Sequence, residues 1–292
     1  MKKRVAPKTS SGLLKVKKKP LKKGMLKKVP KRKVGTSTGS AIPLVMMLYG
    51  PPGIGKTSLA AHANNVCFIT DPHEDGIVRL PHAGQCPVPN EHIIVPAWTD
   101  LIRAITHASK THNTIVLDSL TGMQQLCFAH CCKKDYKDNW SSKGFYSYQQ
   151  GPSTAATRYW EPEFIQALQH AFEKGTSIYL LAHSEMKQID DPVNEGYNHY
   201  QPYLHKQLWQ FTKRWCHNVI FYNHAVSMKK SEGFDKKKRP DLSTERRAFH
   251  TTHSIAYEAK NWPNMRPVLN AGPSASESHK LLLAEYNKCL TR

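Results

Sequence analysis

Long apolar runs are missing from the 292-residue sequence. The longest, Leu44–Tyr49, has six residues, whereas a transmembrane helix needs roughly 20. A secretory signal peptide needs an apolar segment behind its basic residues, and lysines interrupt every such segment near the N-terminus. We therefore expect a soluble protein that is neither secreted nor inserted into a membrane.

Acidic residues are missing from residues 1–40, which contain fifteen Lys and Arg residues. The whole chain has 42 basic and 22 acidic residues and a net charge of +20, so the first 40 residues supply three quarters of the excess. Like charges repel, and Pro20 and Pro30 interrupt any helix, so we predict a disordered Lys-rich arm with its linker at residues 1–40. Residues 41–292 are the predicted folded domain.

Paired cysteine motifs are also missing, although the chain has seven cysteines at irregular spacing. This pattern favours free thiols in a reducing compartment over a disulfide framework. Cys127, His130, Cys131 and Cys132 are close together in sequence, but their spacing matches no standard zinc motif. We therefore interpret them as buried or idle thiols on a helix.

From Ile42 onwards, short apolar runs alternate with stretches of helical periodicity. The predicted strands are Pro43–Tyr49, Val66–Thr70, Ile93–Val95, Thr114–Leu117, Ser177–Ala182, Val219–Tyr222, Arg246–Thr252 and Ser254–Ala259. The predicted helices are Lys56–Asn64, Asp100–Ser109, Leu120–Cys132, Arg158–Lys174, Tyr203–Trp215 and His279–Leu290. Continuous apolar strands are typical of parallel strands buried on both faces. The pattern predicts an α/β fold with a mostly parallel sheet flanked by helices.

The segment Gly50–Thr57 (GPPGIGKT) fits the phosphate-binding pattern GxxxxGK[ST] and follows an apolar strand. Glycines let backbone N–H groups surround the β- and γ-phosphates, and the following helix directs its positive end toward them. Lys56 is expected to contact the β/γ oxygens and Thr57 to offer its hydroxyl to Mg²⁺. The predicted cofactors are ATP and Mg²⁺, and the predicted nucleotide-binding residues are Gly50, Pro51, Pro52, Gly53, Ile54, Gly55, Lys56, Thr57 and Ser58.

Two further carboxylates are candidates for the same site. Asp118 ends an apolar strand, where it can hold the water shell of Mg²⁺, or it caps the next helix. Glu74 follows the second strand and is the predicted base that activates water, with Asp71 as the second choice. A turn rich in Asp and Gly is the alternative for this segment.

His183 ends another apolar run, Tyr179–Ala182. A polar side chain at this position can hydrogen-bond the γ-phosphate and transmit its loss to the next loop; the alternative is a histidine without a functional role. The predicted catalytic residues are therefore Lys56, Glu74, Asp118 and His183, and the predicted metal ligands are Thr57 and Asp118.

These segments, in this order, resemble the RecA-like core of P-loop ATPases. More narrowly, the chain resembles the phage AAA-type nucleotide-binding proteins proposed as RecA-like single-strand annealing proteins. Besides Gly50–Thr57, the resemblance rests on Asp71–Gly76, Leu117–Leu120, Ala182–Glu185, Pro202–Leu208 and Ala256–Asn261. It spans roughly residues 42–270 and implies Glu74 as the water-activating carboxylate and His183 as a polar sensor.

The resemblance also implies oligomerisation into a ring or filament. Tyr257–Lys260 is similar to a late Ala-Lys element of the family, from which a cation can reach a neighbouring subunit's nucleotide. The family often continues with Arg, where this chain has Asn261 and Trp262. Lys260 or Arg247 is then the candidate for action in trans, and an exposed Lys on a strand is the alternative.

The resemblance places DNA on mobile loops, which here are Lys133–Trp160 and Ser184–Tyr203. Both contain aromatic residues with nearby cations, a combination that suits stacked bases and neutralised phosphates of single strands. In the alternative interpretation, these aromatics pack the loops on the core. The basic arm adds sequence-independent phosphate affinity, or serves as a solubilising tail or a nuclear localisation signal. Lys229–Arg239 is a further basic cluster.

The sequence therefore predicts a RecA-like ATPase that binds single-stranded DNA in phage-type recombination or replication. Its expected place is the cytoplasm of a bacterium or infected host cell, or the nucleus of a eukaryotic host. One alternative is a P-loop phosphotransferase acting on a small molecule, which would need an acceptor pocket and a lid with clustered arginines. Another is a nucleic-acid-binding protein that ATP switches without hydrolysis.

Overall fold

The computed structural model describes residues 42–190, 196–225, 228–230, 238–240 and 246–291. The predicted basic arm at residues 1–40 and most of the basic cluster at Lys229–Arg239 lie outside these ranges. Among the described helices, none is both long and apolar enough to cross a membrane.

One large sheet forms the centre of the described chain. The described strands are Val45–Gly50 (β1), Val66–Thr70 (β2), Glu91–Ile94 (β3), Thr114–Asp118 (β4), Ser177–Ile189 (β5), Tyr197–Pro202 (β6), Asn218–His224 (β7), Met228–Lys230 (β8), Lys238–Pro240 (β9), Arg247–His250 (β10), Lys260–Asn261 (β11) and Val268–Asn270 (β12). β8 and β9 pair with each other in a separate two-stranded sheet, and the other ten strands belong to the large sheet. Six of them run parallel in the order β3-β2-β4-β5-β1-β7. β10 and β12 extend the β7 edge in antiparallel pairing. The predicted α/β fold with a mostly parallel sheet is confirmed.

Helices cover both faces of this sheet. They are Lys56–Ala60 (α1), Gly76–His82 (α2), Trp98–Thr111 (α3), Leu120–Asp135 (α4), Gln150–Ala155 (α5), Gln166–Glu173 (α6), Lys206–Trp215 (α7) and Ala275–Leu290 (α8). All residues of β1, β2 and β4 are buried, because alternate side chains enter the cores on the two faces. Val45, Met47 and Tyr49 pack on the α3–α4 side, whereas Met46 and Leu48 pack on the α1–α8 side.

The predicted helix Arg158–Lys174 is part of a longer helical segment. A π-helical stretch, Ala156–Ile165, connects α5 to α6 without a break in the helical backbone. Pro162 lies inside the stretch and cannot donate a backbone hydrogen bond. The buried rings of Trp160 and Phe164 lie beside Trp98 of α3 with ring centroids 6.0 Å away, so the stretch belongs to the core.

The predicted strand Ser254–Ala259 is wrong. The segment instead turns back on itself between Ser254 and Tyr257, which form an isolated antiparallel bridge. Its backbone is held from the side by Tyr200 of β6, which donates to the Ala256 carbonyl and accepts from the Glu258 amide. Among the apolar residues of this segment, Ile255 is exposed, whereas the ring of Tyr257 stacks on Phe221 at 5.4 Å.

In their described residues, both predicted mobile loops contain helices or strands; residues 191–195 of the second lie outside the described ranges. In Lys133–Trp160, α4 continues to Asp135, and a 3-10 turn at Ser147–Gln149 precedes α5 and the π-helical stretch. In Ser184–Tyr203, β5 continues to Ile189 and pairs with β6 in an antiparallel hairpin. The prediction was wrong here because the polar residues of Ser184–Gln188 lack the apolar run that marked the buried half of the same strand.

Candidate functional site

The loop Gly50–Gly55 connects β1 to α1 and needs glycine at two positions for different reasons. Gly55 has a φ of 101°, a left-handed conformation that residues with a Cβ rarely adopt. Gly50 approaches the carbonyl group of Tyr222 on β7 so closely that a Cβ would collide with it. The sequence pattern therefore corresponds to a loop whose backbone is free to surround an anion.

Lys56 is the first residue of α1 and is almost fully buried beside this loop. Its ammonium group donates to the carbonyl groups of Gly50 and Pro51 at 3.0 Å and 2.9 Å. Burial lowers the pKa of Lys56 to about 8, although Asp118 and Glu74 partly oppose this effect. A phosphate anion in the loop would favour the protonated form of Lys56, because opposite charges attract. The protonated ammonium group would in turn bind the phosphate.

Thr57 and Asp118 are directly in contact, as their sequence positions predicted. The Thr57 hydroxyl donates to Asp118 Oδ2 at 2.7 Å. Burial raises the pKa of Asp118 to about 6, against the opposing effect of this hydrogen bond. A hydroxyl and a carboxylate brought together near a buried lysine fit the oxygen ligands that Mg²⁺ prefers. The donor set is therefore compatible with the predicted metal.

Glu74 lies at the same edge of the sheet and contacts two polar side chains. Ser119 donates its hydroxyl to Glu74 Oε1 at 2.8 Å, and His183 Nε2 lies 3.5 Å from the same oxygen. The His183 contact lowers the pKa of Glu74 most, burial opposes it, and the Ser119 hydrogen bond adds to the lowering. Glu74 is therefore held as a carboxylate, the form that can accept a proton.

The sequence predicted that His183 follows the end of its strand, but in the structure it lies within β5. β5 continues to Ile189, but His183 is its last residue paired with β1, opposite Gly50. From Ser184 onwards the strand pairs with β6 instead. The imidazole therefore lies where β5 leaves the main sheet and enters the hairpin.

One cavity of about 250 Å³ contains all four predicted catalytic side chains. It is lined by Pro52, Gly53, Gly55, Lys56, Thr57, Ser58, Glu74, Leu80, Gln85, Asp118 and His183. Asp71, the second choice for the base, is not among them; its carboxylate accepts from the backbone N–H of His73 at 2.9 Å. The geometry thus favours Glu74 over Asp71 as the carboxylate that faces a nucleotide.

A second cavity, of about 390 Å³, adjoins the first. Its lining includes Glu74 and His183, which also line the first cavity, and Asp71, Ser119, Gln125 and Leu126, which do not. Glu74 and His183 therefore separate two spaces, one over the phosphate loop and one over the first turns of α4. No sequence pattern predicts this cavity, because its lining comes from segments that are far apart in the chain.

The two cations considered for action in trans have partners within their own chain. Arg247 donates to the carbonyl of Ile54 in the phosphate loop at 3.2 Å and lies over the Tyr222 ring. Lys260 donates to the carbonyls of Lys213, Arg214 and Cys216 at 3.1, 3.3 and 2.7 Å. Lys260 thus caps the C-terminal end of α7, where a cation is favourable.

Ser119 and Arg247 are site residues whose contacts the sequence did not predict. Ser119 directly follows Asp118, so its position after a strand ending in a carboxylate was an available signal. Arg247 comes from β10, on the antiparallel side of the sheet, and no local motif connects it with the loop nearly 200 positions earlier. Its contact exists because β10 lies beside β7, the neighbour of β1.

The aromatic residues of the two predicted DNA segments divide into buried and exposed groups. Phe145 is fully buried among Phe128, Tyr136 and Trp140, so it packs on the core. The exposed aromatic side chains are those of Trp140, Tyr146, Tyr148 and Tyr203. Tyr148 has 95% of its surface exposed and so contributes little to packing.

Comparison with known proteins adds one match. A family profile described as an AAA domain matches residues 42–262, which are 221 of the 292 residues. The matched range begins just before β1 and includes the phosphate loop, Glu74, Asp118 and His183. No curated protein matches the chain by sequence.

Proposed function

The chain belongs to the AAA domain family, and from this premise we propose that it is a Mg²⁺-dependent ATP hydrolase. The single observation that supports this most is the cavity in which Lys56, the Thr57–Asp118 pair and Glu74 face one another. An AAA-type P-loop binds a nucleotide; hydrolysis additionally requires a base on the γ-phosphate side. Glu74 is the carboxylate that meets this requirement.

The proposed roles follow from the contacts of each side chain. Lys56 exchanges its carbonyl partners for phosphate oxygens and neutralises their charge. Thr57 and Asp118 would hold Mg²⁺, which when bound supplies further neutralisation of the phosphate charge. Glu74 accepts a proton from the attacking water while Ser119 and His183 keep its carboxylate oriented.

Phosphate release by the wild-type protein, Lys56→Ala and Glu74→Gln tests the proposal. Lys56→Ala should lose both nucleotide binding and phosphate release, whereas Glu74→Gln should keep binding and lose release. Asp71→Asn is the matched control, because Asp71 lies outside the phosphate-loop cavity. Absence of phosphate release from the wild-type protein, with tight ATP binding, would instead support the ATP-switched protein that does not hydrolyse.

A second candidate function is phosphoryl transfer to a small acceptor, and the second cavity favours it. Glu74 lines both cavities, so its carboxylate is placed to accept a proton from an acceptor hydroxyl in the second cavity or from water in the first. Product analysis with ATP labelled at the γ-phosphate separates the two functions. Label on inorganic phosphate supports hydrolysis, and label on an organic acceptor supports transfer.

We further propose that the protein binds single-stranded DNA, in recombination or replication of the phage type. The net charge supports this, because +15 of the total +20 belongs to residues 1–40. The exposed rings of Tyr148 and Tyr203 support it as well, because bases stack on exposed rings. Tyr148→Ala and Tyr203→Ala should each weaken binding of a single strand by about 1–3 kcal/mol. Trp262→Ala, an exposed aromatic outside both segments, should leave it unchanged.

Assembly of copies of this chain into a ring or filament, in the cytoplasm of a bacterial or infected cell, completes the proposal. Its support is the resemblance to RecA-like annealing proteins together with membership of the AAA domain family. Analytical ultracentrifugation with and without ATP and single-stranded DNA tests it. A monomer under all four conditions would contradict the assembly and leave the hydrolase proposal intact.

A further inference from the structure

Three side chains of metal-binding type meet at the edge of the sheet opposite the phosphate loop. Cys67 is the second residue of β2 and Glu91 is the first of β3, and the two are direct partners in the parallel ladder. His112 directly follows α3. Their sulfur, carboxylate oxygen and imidazole nitrogen all lie within 4.8 Å of one another, and no other such group occurs among the described residues.

The distances between these sulfur, oxygen and nitrogen atoms are close to those between the ligand atoms of a bound metal ion. Zinc with ligands at about 2.0–2.3 Å in a tetrahedron places neighbouring ligand atoms about 3.3–3.8 Å apart. Glu91 Oε2 and His112 Nδ1 are 3.5 Å apart, within this range. The remaining pairs need movements of about 1 Å or less, which side-chain torsions can supply without displacing the strands.

We propose that Cys67, Glu91 and His112 bind one Zn²⁺ ion, with a water molecule as the fourth ligand. Thiolate, imidazole and carboxylate are the three protein ligand types of zinc. As the zinc–sulfur bond forms, the Cys67 thiol releases its proton to solvent. Glu91 has a third of its side chain exposed, so water can reach the remaining coordination position.

One neighbouring residue holds a ligand from outside. His107 Nε2 lies 3.1 Å from Glu91 Oε2 and 3.2 Å from Oε1, so it can hold the carboxylate oxygen that the metal leaves free. A partner of this kind orients a metal ligand and raises affinity. The Thr111 hydroxyl lies 2.8 Å from His112 Nδ1, the nitrogen that faces Glu91, so Thr111 must turn away for the metal to bind there.

The position of the site gives the metal a structural role. β3 has four residues, and among the described strands it is the last on its side of the sheet and pairs only with β2. The ion would connect this strand to β2 and to the end of α3. The cysteines considered from the sequence do not belong to a group of this kind among the described residues; the thiols of Cys127 and Cys131 approach the carbonyls of Ala155 and Gly151.

Cobalt titration of the full-length protein, purified without a histidine tag and free of nucleotide, tests the proposal. Wild-type protein should bind one Co²⁺ with a thiolate-to-metal charge-transfer band in the near ultraviolet. The phosphate-loop site has no thiol, so it cannot produce this band. Cys67→Ser should abolish the band, and Cys86→Ser, which alters a cysteine outside the cluster, should retain it.

If Cys67→Ser folds poorly, thermal unfolding with and without Zn²⁺ provides a second test that does not need this variant. Zn²⁺ should raise the unfolding temperature of the wild-type protein and leave that of His112→Ala unchanged. His107→Ala should still bind, with affinity about 10–100-fold weaker. No charge-transfer band in the wild-type protein, or a band that persists in Cys67→Ser, would overturn the proposal.

Discussion

Glu74 is the residue on which the proposed chemistry depends. Glu74→Gln keeps the size of the side chain and removes its ability to accept a proton. We expect phosphate release to fall about 10²–10⁴-fold, the usual contribution of a general base, with ATP affinity within about threefold of the wild-type value. Rapid-quench measurement of a single turnover, together with calorimetric ATP binding, checks both expectations. An equal fall in Asp71→Asn would contradict the assignment.

The pKa values of Lys56 and Asp118 predict how nucleotide affinity depends on pH. Below pH about 6, Asp118 gains a proton and loses its attraction for Mg²⁺; above pH about 8, Lys56 loses its proton and its attraction for phosphate. Affinity for ATP with Mg²⁺ should therefore be highest between these values and fall up to tenfold per pH unit outside them.

Equilibrium binding between about pH 5 and pH 9 measures this profile. Lys56→Arg should lose the alkaline limb, because a guanidinium stays protonated throughout. Asp118→Asn should lose the part of the acid limb that exceeds protonation of the nucleotide itself. An alkaline limb that survives in Lys56→Arg would show that another group causes it.

The positions of single residues could be predicted where a local pattern in the sequence marks them. Lys56 and Thr57 belong to a contiguous motif, and Asp118 follows a run of apolar residues, so their meeting in space follows from parallel strands that end at one edge. Ser119, Arg247 and the Cys67–Glu91–His112 cluster depend on distant segments that meet only after folding. No local pattern in the sequence marks such contacts.

At the scale of elements, Arg247 connects the antiparallel part of the sheet to the phosphate loop. Arg247→Met removes the hydrogen bond from β10 to the Ile54 carbonyl. A hydrogen bond from a charged group contributes about 1.5–3 kcal/mol, less where water competes, so we expect ATP affinity to fall about tenfold. Arg246→Met is the matched control, because it removes the same charge from the exposed neighbouring residue. Equal losses in the two variants would indicate a general charge effect.

Buried helices and strands could be predicted from the sequence more completely than exposed ones. The strands of the central sheet have continuous apolar runs, and β2 lies at the predicted bounds Val66–Thr70. The second half of β5 and all of β6 were missed, because an exposed hairpin needs no apolar run. The strand predicted at Ser254–Ala259 was wrong for the converse reason: apolar residues also occur outside strands, and Tyr257 of this segment packs on Phe221 without being in a strand.

At the scale of the whole molecule, we predict that most of the excess positive charge and the site of ATP hydrolysis belong to different parts of the chain. Deletion of residues 1–40 removes +15 of charge. The affinity for single-stranded DNA should therefore depend less steeply on salt, with a slope reduced by about 0.7 for each phosphate that the arm neutralises. Phosphate release without DNA should be unchanged, because every lining residue of the phosphate-loop cavity lies beyond residue 50. Loss of ATP hydrolysis in the truncated protein would show that the arm is part of the catalytic domain.

β5 is one uninterrupted strand of 13 residues, with His183 near its middle. The six residues after His183 extend about 20 Å at the rise of a β-strand. β6 pairs with this extension at six positions, so the two strands are expected to move together. A tilt of about 5° at His183 would displace the far end by about 2 Å, the scale of a broken hydrogen bond. A partner that fixed the far end of the hairpin would therefore limit the tilt of the strand at His183, which lies 3.5 Å from Glu74.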